Sequence, residues 1–366
     1  MSLAIYNRDY RICSYTSSNE GEVPEWFALE IRFSGRSFRI HVSSSNFLNS
    51  PSKIEEFHKY FEFLASGADE WGEESEGAEH DANDENDIQA ITIDDCFDWA
   101  VNSFLPILRS VAPQPAATSK VTLRHFFASE SFECKLSAVD DTLVPGAVEL
   151  RDLDENWMGP GVQDESIAWK TTFPSFHPSE VEVKIDNPQY SLDINPTRVL
   201  VNGQELFFKS LEIVGETLGR KEVERYQQIV RANLGSDVRT SHLFGVVQDE
   251  KCQLVGLLLH YIDEDTTLAY AAVPETSQLL KERWARQIKH SLTALHEAGI
   301  VWGDAKPSNI IIDVHGDAWI IDFGGGHTKG WVDYDKQGTV EGDLQGLRNI
   351  LRFIFTEEDG RNSKLD

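Results

Sequence analysis

Two short apolar runs, Ile310 to Ile312 and Trp319 to Ile321, flank the turn residues His315-Gly316-Asp317. Runs this short, joined this tightly, can close only as a hairpin, because a helix needs a longer periodic stretch. The pairing fixes what lies at its ends: Asp322, after the second strand, must come beside Asn309, before the first. Upstream, Asp304 and Asn309 stand five residues apart with Lys306 and Pro307 between them. One compact loop can therefore present a carboxylate, an amine and an amide on the same side. A carboxylate from Asp322 and an amide oxygen from Asn309 make a hard-oxygen site suited to Mg²⁺ bound with a nucleotide. Asp304 is placed to orient or deprotonate a hydroxyl, and Lys306 to neutralise charge on a transferred phosphoryl group.

The chain has 366 residues and a formal charge of -28. That balance repels phosphate backbones and anionic lipid, so neither a nucleic acid nor a membrane surface is expected as a partner. No apolar run approaches the length of about 18 residues that spans a bilayer, and the N-terminal stretch lacks a continuous apolar signal region. An intracellular protein, cytoplasmic or nuclear, is expected. Cys13, Cys96, Cys134 and Cys252 are scattered without ligand spacing and read as reduced thiols in packed positions.

The two halves differ in kind: the balance of charge is -21 up to Pro196 and -7 beyond it. The sequence predicts a mixed α/β N-terminal domain over 1–178, with an acidic insertion at about 69–90 that has too little apolar surface to order itself. In that half, Leu29, Ile31 and Phe33, the turn Ser34-Gly35, and Phe38, Ile40 and Val42 predict a hairpin. Ile54, Phe57, Tyr60, Phe61 and Leu64 predict a helix, and Cys96 through Val111 a second one. From Pro145 to Pro196 the Pro-, Asp- and Ser-rich sequence predicts short strands at most. No chemistry is legible there.

Residues 179–366 predict a second domain. Strands are expected at Glu180–Ile185, Arg198–Val201 and Glu205–Lys209, with Asn202-Gly203 as a hairpin turn. A helix follows around Glu222 to Asn233, a buried strand from Leu254 to Ile262, and a helix from about Gln278 to Ala298.

HEAGIVWGDAKPSNIIID resembles the catalytic loop of protein kinases, H-R-D-x-K-P-x-N, and IIDFGG resembles their D-F-G strand end. More narrowly, FFK, GLLLHYI, WGDAKPSN and DFGGGHTKGWVD resemble kinase-like proteins of filamentous fungi. The resemblance implies an α+β, two-lobed protein kinase-like fold, with an N-lobe over about 179–262 and a reduced C-lobe over about 263–366. It implies Lys209 and Glu222 as the lysine and helix glutamate that hold ATP phosphates. Glu222 is preferred to Glu224 because Tyr226 and Ile229 then share its inward face. Asp304 and Lys306 are implied as catalytic, Asn309 and Asp322 as ligands of Mg²⁺ and nucleotide, and Asp343 as the buried aspartate beneath the loop. His260 and Ile262 fall at the hinge, where nucleotide contact is implied, although an apolar strand also gives His260 an ordinary packed role. Trp302 and Trp319 read as packing.

Three departures bear on function. The connection DNPQYSLDINPT has no glycine where kinases close a Gly-rich loop over the phosphates. Trp302 and Gly303 replace histidine and arginine, removing the usual partner of a phosphorylated activation loop. Only about twenty residues, without A-P-E, separate Asp322 from Asp343. The Gly324-Gly325-Gly326 run reads as a sharp turn or a close backbone approach. The expected function is ATP- and Mg²⁺-dependent phosphoryl transfer to a hydroxyl of a protein or small molecule. The alternative is a pseudokinase, a nucleotide-sensing binding module whose N-terminal half recruits a protein partner.

Overall fold

A computed structural model of the chain describes residues 10–18, 25–65, 92–111, 120–127, 130–151, 171–184, 195–211, 216–250, 252–326 and 328–355. The acidic segment at 69–90 and most of the glycine-free connection lie outside the described residues. The chain forms two compact units, one within 1–120, 124–157 and 185–195, the other within 121–123, 158–184 and 196–366. A single cut at 178/179 therefore simplifies the division: Leu123 N–H donates to the Val181 carbonyl (2.9 Å) and Val183 N–H to that of Val121 (2.8 Å), tying 121–123 to the second unit.

In the first unit, β1 (Arg11–Ser17), β2 (Trp26–Phe33) and β3 (Arg36–Leu48) form an antiparallel meander. Ser34 and Gly35 both take positive φ, 49° and 77°, as the tight β2–β3 turn requires. Helices α1 (Pro51–Ala65), α2 (Ile93–Val101) and α3 (Leu105–Val111) follow, then α4 (Leu123–Phe127), which belongs to this unit from residue 124 on. Strand β4 (Ser131–Val139) then pairs parallel with β3, and β5 (Thr142–Pro145) and β6 (Glu149–Leu150) pair with β4.

The long helix expected from Cys96 to Val111 is in fact two. Pro106 has no N–H to donate to the Asn102 carbonyl, and its ring would crowd that carbonyl, so α2 stops and Pro106 falls in the first turn of α3. Thr92 and Asp95 close a reciprocal capping box at the start of α2. The core beneath the sheet is dominated by aromatic side chains, with Phe57 stacked on Phe27 and Phe61 at centroid distances of 5.7 and 5.8 Å.

The second unit begins with β7 (Ser175–Phe176) and β8 (Glu182–Val183), much shorter than the strand expected from Glu180. Then come β9 (Arg198–Val201), β10 (Gln204–Ser210), α5 (Glu216–Ala232), β11 (Leu243–Gln248) and β12 (Leu254–His260). These strands make one sheet in the order β7-β11-β12-β10-β9-β8, and the β9–β10 turn places Asn202 and Gly203 at φ 51° and 81°. Next are β13 (Glu264–Thr267), α6 (Leu268–Ala271), α7 (Gln278–Glu297), β14 (Ile310–Asp313), β15 (Ala318–Ile320) and α8 (Val340–Phe355). β13, β14 and β15 form a small antiparallel sheet, with Ile310 opposite Ile320 and Ile312 opposite Ala318. A core of Leu, Ile and Trp side chains, including the fully buried Trp302, joins α5, α7 and α8 to β11, β12, β14 and β15.

All four cysteines are free of disulfides; Cys96 and Cys134 are buried as expected, but Cys13 and Cys252 are exposed. Among the described residues no helix is long and apolar enough to cross a membrane.

Candidate functional site

Strand alternation decides which side chains of β10 face α5. Phe207 and Lys209 share one face and Leu206 and Phe208 the other. Lys209 Nζ donates to Glu222 Oε2 on α5 and to Asp322 Oδ1 beyond β15, both at 2.8 Å. Glu222 is fully buried, whereas Glu224 points to solvent. Burial pushes the Lys209 pKa down, but the carboxylates of Glu222 and Asp322 outweigh it and hold the ammonium charged. For Glu222 burial is the larger influence and raises its pKa, partly countered by Lys209. Tyr226, one turn further along α5, donates to Glu222 Oε1 (3.4 Å), meets Ser241 Oγ (2.8 Å) and packs edge-on against Phe323.

Asp322 takes φ of 60°, a left-handed conformation that Asp tolerates better than most residues. Its Oδ1 accepts from Gly324 N–H (3.2 Å), a local bond that favours this shape. Ile321 N–H donates to the Asn309 carbonyl (3.0 Å), so the hairpin brings Asp322 beside Asn309. Asn309 directs its amide nitrogen to Asp304, to the backbone oxygen at 3.0 Å and Oδ2 at 2.9 Å. An amide whose nitrogen is so committed has its oxygen left to offer.

Asp304 is the hub of a second group. Lys306 Nζ lies 3.2 Å from its Oδ2 and donates to Thr328 Oγ1 at 2.7 Å, while the Thr328 hydroxyl reaches Asp304 Oδ1 at 3.3 Å. The loop rests on Asp343, whose carboxylate accepts from the backbone N–H groups of Trp302 and Gly303, both at 2.7 Å, and pairs with His296 Nε2 at 2.9 Å. Trp302 is packed as expected, and its Nε1 also donates to the Ile321 carbonyl (2.8 Å), tying loop to strand.

The glycine run is explained by close approach at successive positions. A Cβ on Gly324 would lie 3.3 Å from Asp322 Oδ1, one on Gly325 3.2 Å from Arg225 Nη1, and one on Gly326 3.2 Å from Asp304 Oδ2. Only Gly325 has positive φ, so the run is mainly clearance for these side chains.

His260 and Ile262 are not brought to this cluster. His260 pairs with Leu206 in the β10–β12 register while Leu257 pairs with Lys209, so the His260 side chain stands on the face of the sheet away from the lysine. With Ile262 it instead lines a cavity of about 310 Å³ that also meets Thr240, His242 and Trp319. Two residues escaped the sequence reading: Thr328, in a loop with no periodic signal, and Arg225, which contacts the backbone of Phe323. Paired glycines at 303 and 325 were the available signal for Arg225, since both leave room for its guanidinium.

No protein-family model matches the chain. A stretch of 124 residues, 33% of this chain, is 23% identical to a probable serine/threonine-protein kinase of Dictyostelium discoideum, covering 17% of that protein. A stretch of 55 residues, 15% of this chain, is 42% identical to mitogen-activated protein kinase kinase 10 of Arabidopsis thaliana, covering 18% of it. The chain thus spans under a fifth of the length of the curated relatives it matches, and its likeness to protein kinases is distant and partial.

Proposed function

We propose that residues 179–366 form a two-lobed protein kinase-like domain that binds ATP with Mg²⁺ and transfers the γ-phosphoryl group to a hydroxyl of a protein or small molecule. The observation that carries this is Lys209, held between Glu222 and Asp322 at 2.8 Å from each, on the third strand of a meander. That is the context in which a kinase lysine and helix glutamate pair. A largely buried lysine held between a fully buried glutamate and a partly exposed aspartate is costly to desolvate, a cost that a ligand-binding role for the aspartate would account for.

The donor set suits Mg²⁺, which keeps several waters and needs one or two carboxylates beside phosphate oxygens. Asp322 and Asn309 would hold it, and it would supply positive charge against the phosphate oxygens. Lys209 would bind phosphate oxygens through its remaining N–H. Asp304 orients the acceptor hydroxyl and takes its proton as that oxygen bonds to phosphorus and the bond to the ADP oxygen breaks. Asn309 and Lys306 hold the Asp304 carboxylate, and Lys306 offsets the charge that develops.

The test is the thermal midpoint of the purified chain with ATP, with and without Mg²⁺, followed by turnover on a panel of acceptors. Ligand at about a hundredfold over its dissociation constant stabilises by roughly 2.7 kcal/mol. Asp322→Asn is expected to remove the Mg²⁺-dependent part of the shift, and Asp304→Asn to keep the shift and lose turnover. Turnover unchanged in Asp304→Asn would sink the proposed base. A second reading, a nucleotide-sensing pseudokinase that recruits a partner through its N-terminal half, is favoured by the glycine-free connection after β8. It predicts a Mg²⁺-dependent shift with no turnover on any acceptor.

A further inference from the structure

Three separated segments meet at one guanidinium. Arg225 lies one helical turn after Glu222 on α5, so the two share a face. Its Nη1 donates to the carbonyl of Phe323, the residue after Asp322. A Cβ built on Gly303, the residue before Asp304, would stand 3.2 Å from Arg225 Nη2 and 3.5 Å from the Gly325 Cα. Gly303 and Gly325 both occupy the left-handed region, at φ 93° and 79°. Any other residue at either position would meet both backbone strain and the guanidinium.

Gly303 is also fixed from elsewhere: its N–H donates to Asp343 Oδ1 at 2.7 Å. The fork of Arg225 thus donates to the backbone one residue after Asp322 and lies close to Gly303, one residue before Asp304.

We propose that Arg225 is a positioning residue, tethering the segment just after Asp322 to α5 and packing beside Gly303, so that the Lys209–Glu222–Asp322 arrangement is assembled in the unmodified chain. The arginine absent from position 303 would have come from the loop itself; the cation here comes from the helix. The consequence is regulatory: the site needs no phosphate on the segment after Asp322 to hold Asp322 in place. This rests on the reading of Asp322 as the carboxylate that holds Mg²⁺.

The test compares the wild-type chain, Arg225→Met and Arg225→Lys, expressed without any phosphorylating partner. Backbone hydrogen exchange is read over residues 322–326 and, as a control, over β2 and β3. The Mg²⁺ dependence of the ATP-induced thermal shift is read in parallel. Losing one charge-assisted hydrogen bond should speed exchange at 322–326 about tenfold and raise the Mg²⁺ midpoint by a similar factor, with Arg225→Lys recovering part of both. A merely structural role would instead speed exchange throughout and leave the Mg²⁺ midpoint where it was. Gly325→Ala, which pushes on the guanidinium without removing it, should reproduce the local loosening if Arg225→Met folds poorly. Wild-type response to Mg²⁺ and ATP that Arg225→Met leaves unchanged overturns this proposal alone. A wild-type chain that does not respond overturns the nucleotide reading, and with it the role assigned to Arg225.

Discussion

The two units solve the problem of burial differently. Among the described residues of the first, the core is built from aromatic and aliphatic side chains, and its buried polar groups are serines and one arginine. That arginine, Arg32, is satisfied by the Phe126 carbonyl at 2.8 Å and by the Phe126 ring beneath it. In the second, the described residues bury Glu222, Asp249, Asp313 and Asp343. A buried carboxylate costs several kcal/mol unless it is fully engaged. Glu222 and Asp343 sit beneath the candidate site and bind the groups that shape it. The contrast teaches that hydrophobic patterning suffices for the first unit, whereas the second accepts a less favourable interior in order to hold polar groups at fixed separations.

The largest expected effect lies in the first unit. Phe57 is fully buried, stacked on two phenylalanines and edge-on to Phe47 at 6.0 Å. Phe57→Ala should cost about 3–5 kcal/mol through lost burial and the cavity left behind. Below its lowered melting temperature the Mg²⁺-dependent response to ATP should persist. Loss of that response while the chain is still folded would break the contrast.

In the second unit, Asp343→Asn removes a charge that two backbone N–H groups and His296 converge on. Leaving one buried donor badly paired should cost about 2–4 kcal/mol. The loop carrying Asp304 loses its support at the same time, so turnover should fall more than stability alone explains. Chemical denaturation and turnover at a temperature where both proteins are folded separate the two effects.

A smaller effect is expected at the β14–β15 turn. Burial alone would raise the Asp317 pKa, but the Gln287 hydrogen bond and the Arg239 and Arg283 guanidinium groups outweigh it and hold it below the usual value. A carboxylate with a depressed folded pKa contributes stability above its unfolded pKa of about 3.9 and loses it as pH falls through the folded value. Asp317→Asn should therefore cost about 1–2 kcal/mol at neutral pH and little in strong acid. Equal destabilisation at pH 7 and pH 2.5 would show that packing, not charge, anchors the turn.

What could be read in the sequence follows from the range over which each signal acts. The Ser34-Gly35 and Asn202-Gly203 turns were legible because positive φ is a local demand that few residues meet. The proximity of Asp322 to Asn309 was legible because the short turn between the two strands leaves their register little freedom. The break at Pro106 was missed because the apolar period runs through it, although the ring forbids the bond. The face that His260 takes was not legible, because one residue of strand phase decides it and register comes from the partner strand. Thr328 and Arg225 act across separations of 24 and 98 residues, where no periodicity reaches.

The smallest expected change in stability tests the contrast most sharply. Glu222 has a raised pKa because burial disfavours its ionised form more than Lys209 favours it, so its charge is a burden to the fold. Glu222→Gln keeps the shape and the hydrogen bond to Tyr226 while removing that burden. Lys209 retains Asp322, so no cation is left unpaired. Stability should change by under about 1 kcal/mol in either direction, because relief of the Glu222 desolvation offsets the lost attraction and Asp322 still compensates the lysine. Affinity for ATP with Mg²⁺ should nevertheless fall about tenfold, because Lys209 loses one of the two groups that aim it. If affinity and stability fall together, Glu222 is holding the helix in place, and the buried charge of the second unit is structural. If affinity falls and stability does not, the charge is there for the ligand.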